Sequence, residues 1–217
     1  MKRFLFAISF AVLVILTMNF RCSKDVVQPF QYEFTASVDI YPLKKSYTRN
    51  DTVWIETDLP TKFLFDSKSG QNINADSTQI ILRATYNEFG TSIHNPPNGF
   101  CEIISSNGNT VLRSESPWAT GGDLQYGCGQ PSFKCRIGFK PNYRGTYGLI
   151  LSKNDLLTNC PLKVKWLYAN LVLRYKNVDL NQDVFNQLPI SDKGGNGGAS
   201  FYTNMINTRE MFVIKVE

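Results

Sequence analysis

The commonest spacing between apolar residues in this chain is two. Tyr32, Phe34, Ala36, Val38 and Ile40 alternate with Glu33, Thr35, Ser37 and Asp39, which predicts a strand with one buried face. Thr52 to Thr57 follows the Asn50-Asp51 turn signal and is rich in β-forming residues, and Gln79 to Tyr86 predicts a third strand. Cys101 to Ser105 and Thr110 to Ser114 flank Asn107-Gly108. That dipeptide tolerates positive φ at both turn positions, so it predicts a hairpin. Phe133, Cys135, Ile137 and Phe139 alternate with polar or small residues. A turn across Pro141 to Gly145 then leads into Thr146–Ser152, where Tyr147, Leu149 and Leu151 share a face. Leu162, Val164, Trp166 and Tyr168 carry the rhythm toward Tyr175, and Met211–Val216 closes it.

Helical spacing is confined to the C-terminal end. Leu180, Val184 and Leu188 recur every four residues before Pro189, and Phe201 to Asn207 adds a turn or two. Gly194 to Gly198 between them reads as a flexible surface loop, and Ser116–Gly129 as a second Gly-rich loop. Nine strands with one or two short helices predict an all-β fold. The expected form is a single antiparallel β-sandwich, immunoglobulin-like in general architecture, over residues 32–217. The best seam for two modules is Asn87 to Gly99, which equally fits one long loop of a single body.

The first residues read as an address. Lys2 and Arg3 precede an apolar run from Phe4 to Met18, a length that suits a signal-peptide core better than a membrane span. Residues 1–21 are therefore expected to be a signal peptide. Counting Asn19 and Phe20 brings the run near to spanning length, so an uncleaved anchor is the alternative. Cys22 stands directly after the run, followed by the polar Ser23-Lys24-Asp25.

This arrangement resembles a bacterial lipoprotein signal, and Cys-Ser-Lys-Asp in particular resembles predicted cell-envelope lipoproteins of the phylum Bacteroidota. The runs Tyr47 to Ile55 and Arg144 to Tyr147 are similar to segments recurrent in exported proteins of that phylum. The resemblance implies a lipidated Cys22 as mature N-terminus, residues 22–31 as its tether, and attachment to a bacterial membrane, the outer one foremost. A secreted form is the alternative. Two acyl signals anchor stably where one does not. The resemblance implies a β-rich domain and carries over no activity, substrate or site residue.

Cysteine parity fits export. The five cysteines are Cys22, Cys101, Cys128, Cys135 and Cys160, and giving Cys22 to lipid leaves four for two disulfides. Their wide spacing lacks the close pairs a zinc site needs. Cys128–Cys135 across a short turn, with Cys101–Cys160, is the favoured pairing among three connectivities.

Charge and histidine content then remove function classes. Without Lys2, Arg3 and Arg21 the 23 basic residues fall to 20 against 18 acidic ones, a net charge of about +2, too small to point to nucleic acid. His94 is the only histidine, so multi-histidine metal sites cannot be assembled, and no G-x-S-x-G accompanies it. The glycine run lacks the Lys-Ser/Thr of a phosphate loop. No cofactor and no metal are expected. Asp66-Ser67-Lys68-Ser69-Gly70 is an imperfect calcium loop.

Asp51, Glu56, Asp58, Asp66 and Asp76 cluster in sequence, which keeps a secreted carboxylate-dependent glycoside hydrolase as an alternative. Trp54, Trp118, Tyr126, Tyr143, Trp166 and Tyr168 are the rings that could stack on sugars, Trp118 and Tyr126 foremost because of their polar, Gly-rich surroundings. The leading expectation is a non-catalytic, lipid-anchored envelope protein that binds a glycan or a protein partner. A subunit of a surface fibre is the third reading.

Overall fold

A computed structural model describes residues 31–57, 59–76, 78–90, 99–107, 109–116, 119–126, 130–153, 158–159 and 169–217. The strands in chain order are β1 Tyr32–Tyr41, β2 Val53–Thr57, β3 Phe63–Asp66, β4 Gln71–Asn74, β5 Thr78–Phe89, β6 Cys101–Asn107 and β7 Asn109–Ser116. They continue with β8 Ala119–Tyr126, β9 Arg136–Pro141, β10 Gly145–Lys153, β11 Thr158–Asn159, β12 Ala169–Tyr175 and β13 Met211–Val216. Two short helices, α1 Gln182–Gln187 and α2 Gly195–Asn207, lie between β12 and β13.

These strands form two mostly antiparallel sheets. In the first, β1 is the spine: β12 runs along it, β2 and β3 pair with it antiparallel, β4 extends β3, and β9 and then β6 extend β2. This sheet curls as a half-barrel. The second is ordered β13-β10-β5-β8-β7, with β11 added to β5. Across it Arg83 and Asp123 stand directly opposite and form a bidentate ion pair, both contacts at 2.8 Å.

The two-residue rhythm becomes one core. Phe34, Val38, Val53, Ile55, Ile137 and Phe139 of the first sheet pack with Ile80, Leu82, Tyr86, Tyr147, Leu149, Phe212 and Ile214 of the second. At roughly 1.5–3 kcal/mol for each large apolar side chain removed from water, this cluster is the dominant stabilising term. A smaller cluster of Phe89, Phe185, Met205, Ile206, Met211 and Val213 lies on the other side of the second sheet, beneath the helices. β13 therefore contributes alternate residues to both clusters, and its first four residues are all buried.

Four expectations are corrected. β12 runs parallel to β1, from Tyr32↔Ala169 to Val38↔Tyr175, so the fold is not wholly antiparallel. Parallel neighbours need a long crossover, and here all the chain from β2 to β11 lies between them. The strands on either side of Asn107-Gly108 do not pair as the expected hairpin: β6 pairs with β9 and β7 with β8, in different sheets. Both ladders shift register beside that point. The turn signal is local, whereas strand partners are chosen by which face must be buried.

Ser116–Gly129 contains a strand, β8, rather than a continuous loop. Its Gly121 and Gly122 lie opposite Thr85 and Ala84 and deprive it of the side chains that would reveal its period. Gly194 to Gly198 is not a flexible loop either. Gly194 and Gly195 take positive φ, 82° and 73°, at the end of a 3₁₀ turn at Ser191–Lys193, and the run then enters α2. Burial of Met205 and Ile206 against Phe89 and Met211 overrides the poor helix propensity of glycine.

Candidate functional site on the outer face of the first sheet

Both helices pack against the second sheet through β13, and among the described residues the outward positions of the first sheet range from half-buried to exposed. On β1 these are the odd-numbered positions, from Thr35 to Tyr41. β2 and β3 interrupt one another at Leu59-Pro60, where a proline cannot donate to the ladder. Beyond the break, β3 places Leu64 and Asp66 inward and Phe63 and Phe65 outward, 59% and 51% exposed. Directly opposite on β4 stand Asn74 and Asn72, so the two rings and two amides share one face.

The turn that joins these strands is built by Asp66. Its carboxylate accepts from the backbone N–H groups of Glu33, at 2.7 Å, and Ser69, at 2.9 Å. Gly70 at φ 70° completes the reversal. Hydrogen bonding, from the Ser69 side chain first and then from these N–H groups, holds the Asp66 carboxyl down at about 2. The calcium idea fails on the same geometry, since N–H donors occupy the carboxylate that a cation would need.

Other acidic residues are spread out by the fold. Asp51 pairs with Lys44 at 2.7 Å and accepts from Thr48 N, and the Lys44 hydrogen bond leads in lowering its pKa. Asp76 is exposed next to the end of β4, and Asp58 lies outside the described residues. Glu56 is different. It stands opposite Asp39, a residue the sequence pattern had not singled out. Lys134 meets Glu56 at 2.8 Å and Lys176 meets Asp39 at 2.6 Å. Asp39, Glu56 and Lys134 border a surface depression of about 250 Å³, the two carboxylates side by side and each paired with its own lysine.

The aromatic candidates divide as well. The Arg136 guanidinium lies 4.7 Å from the Trp54 ring centroid, and Gly138 sits directly beneath that ring. Trp54 is thus covered, not presented. Tyr126 ends β8 opposite Ile80, while Trp118, Trp166, Tyr168 and His94 lie outside the described residues. Phe63 and Phe65 were missed. Their signal was the alternation Phe63-Leu64-Phe65 followed by the uncharged Gln71-Asn72-Ile73-Asn74.

Cys101 and Cys135 are both buried, and Cys22, Cys128 and Cys160 lie outside the described residues. At the end of the main core Glu88 is 7% exposed, opposite Tyr147 of β10. Its Oε2 has no hydrogen-bond partner among the described residues, and burial pushes its carboxyl up to about 7. The chain matches no family model, no curated protein and no solved structure.

Proposed function

We propose that the chain is an exported envelope protein, anchored through a lipidated Cys22, whose two sheets close as an immunoglobulin-like sandwich with a non-catalytic binding role. The sandwich reading draws support from Tyr147 at the start of β10. Its hydroxyl donates to the Tyr143 carbonyl four residues upstream, at 3.2 Å, as in the tyrosine corner of immunoglobulin-like domains. The single observation behind the binding role is the exposure of Phe63 and Phe65, alternating along one strand, on a sheet face that no described helix covers. Neighbouring large apolar side chains left in water mark interaction surfaces.

The test replaces both phenylalanines with alanine and compares capture of envelope material by the variant and parent proteins. Loss of capture in the variant is expected, and equal capture refutes the role of this face. Metabolic labelling with a fatty-acid analogue, present in the parent chain and absent after Cys22→Ser, tests the anchor.

A second reading, a carboxylate-dependent glycoside hydrolase, draws on Asp39 and Glu56 as directly opposed carboxylates beside a depression. It requires polysaccharide turnover that Glu56→Gln abolishes.

A further inference from the structure

We infer that the face around Phe63 and Phe65 takes a neutral polysaccharide. This inference rests on the binding role proposed above and names its ligand class. Four observations carry it. The two rings alternate along one strand, which sets them about 7 Å apart. Each has an asparagine directly across the ladder, Phe65 by Asn72 and Phe63 by Asn74. Neither Phe63–Leu64–Phe65 nor the whole of β4 carries an ionisable side chain. The carboxylates that border the patch are engaged: Asp66 within its turn, and Glu33 by the Ser67 hydroxyl at 3.2 Å.

A sugar ring has an apolar face of C–H groups and a rim of hydroxyls. Exposed aromatic rings offer the apolar partner, and amide side chains both donate and accept, which is what a hydroxyl rim needs. Asn74 already accepts from Asp76 N at 2.9 Å through its oxygen, which leaves its amide N–H₂ to donate. Successive rings along a strand suit successive sugars of a chain. The lysines nearest the patch are Lys62, which is buried, and Lys68, in the turn at one end; the rings and amides themselves offer an anionic polymer no cation, so the charge balance favours an uncharged one.

The experiment is affinity electrophoresis of the full chain in gels containing neutral polysaccharides (dextran, mannan, xyloglucan, laminarin) or anionic ones (alginate, polygalacturonate). Retardation by at least one neutral polymer is expected. Phe63→Ala and Phe65→Ala should each weaken it about tenfold, with Phe63→Tyr close to the parent. Raising NaCl from 50 mM to 1 M should change it less than about twofold, because no charge pair is involved. Retardation by anionic polymers alone, or its loss in salt, overturns the neutral-glycan inference while leaving a binding role intact. Neutral retardation that survives both alanine substitutions overturns this site. Capture of a protein partner through the same phenylalanines, with no polysaccharide retarded, overturns the ligand class and sustains the face.

Discussion

The indole of Trp54 rests on the backbone of Gly138, its cross-strand neighbour on β9: a Cβ at position 138 would stand 3.0 Å from the ring's Cε3 and Cζ3. The Thr52 methyl would be closer still, at 2.8 Å. Glycine is required here because the space above its α carbon is already filled, and Arg136 stacks on the same ring. Gly138→Ala must displace the indole and disturb that stack. It is expected to lower stability by about 1–3 kcal/mol, the usual cost of overpacking, read from the urea midpoint. Combining it with Trp54→Ala should cost less than the sum of the single substitutions. Strict additivity would show that the two residues do not meet.

Glu88 makes stability depend on pH in an unusual direction for a carboxylate. Its folded pKa is about 7, above the ordinary 4.5, because burial disfavours the charged form. The unfolded chain therefore loses this proton at lower pH than the folded one. The protonated side chain is tolerated fully below pH 4.5, and stability is lost as pH rises through 7. The difference corresponds to about 2–3 kcal/mol between pH 4.5 and 8. Glu88→Gln, neutral at every pH, should flatten the dependence between pH 5 and 8 and equal or exceed the parent at pH 8. A variant that retains the parent's slope would assign that slope to another group.

The elements legible in the sequence are those whose side chains report their own environment. β1 shows its alternation because Phe34, Val38 and Ile40 face the core and Thr35, Ser37 and Asp39 do not. The same holds for Tyr147, Leu149 and Leu151 in β10. β3 and β4 escaped notice because they are only four residues long, and β3 places its phenylalanines in water, the reverse of the usual rule. β8 was hidden by paired glycines. Pairing between β1 and β12 was beyond any local signal, since more than a hundred residues separate them. The candidate face was obscured for a related reason: nothing local marks Phe63 and Phe65 as outward, and only the register with Asn74 and Asn72 sets them beside polar partners in solvent. Residue pattern specifies which face a strand buries, whereas function here depends on which strands lie next to each other.

Two adjacent glycines in α2 should respond oppositely to the same substitution. At Gly197 an added Cβ meets nothing within 4 Å, and the residue is helical. Gly197→Ala should therefore stabilise the protein by about 0.4–1 kcal/mol, through the lower entropy of the unfolded chain and better helix propensity. At Gly198 the new Cβ would lie 2.2 Å from the Lys193 carbonyl oxygen, a backbone atom. Gly198→Ala must shift the Ser191–Lys193 turn or the start of α2, and should destabilise by more than Gly197→Ala stabilises. Thermal melts of both variants check the contrast. Equal effects of one sign would contradict this path of the chain.

The β6–β9 register limits how the cysteines can pair. Cys101 lies opposite Pro141, whereas Cys135 sits one residue ahead of β9, at the other end of the ladder. Thr57 fixes that end, its hydroxyl oxygen accepting from Cys135 N at 2.7 Å and Cys135 O accepting from Thr57 N at 2.9 Å. Six residues of strand separate Cys135 from Pro141, about 20 Å, while bridged cysteines need Cα atoms within about 7 Å. One of the three connectivities of the four cysteines, the one containing Cys101–Cys135, is thereby removed. The pairing expected from the sequence, Cys128–Cys135 across the shortest loop with Cys101–Cys160, is compatible with this register, while Cys128 and Cys160 themselves lie outside the described residues. Peptide mapping of the protein without reduction should never recover Cys101 joined to Cys135. Cys135→Ser should then expose one new thiol at Cys128 and cost about 2–4 kcal/mol. A peptide linking Cys101 to Cys135 would require these two strands to slide past one another, and would overturn the β6–β9 register of the first sheet.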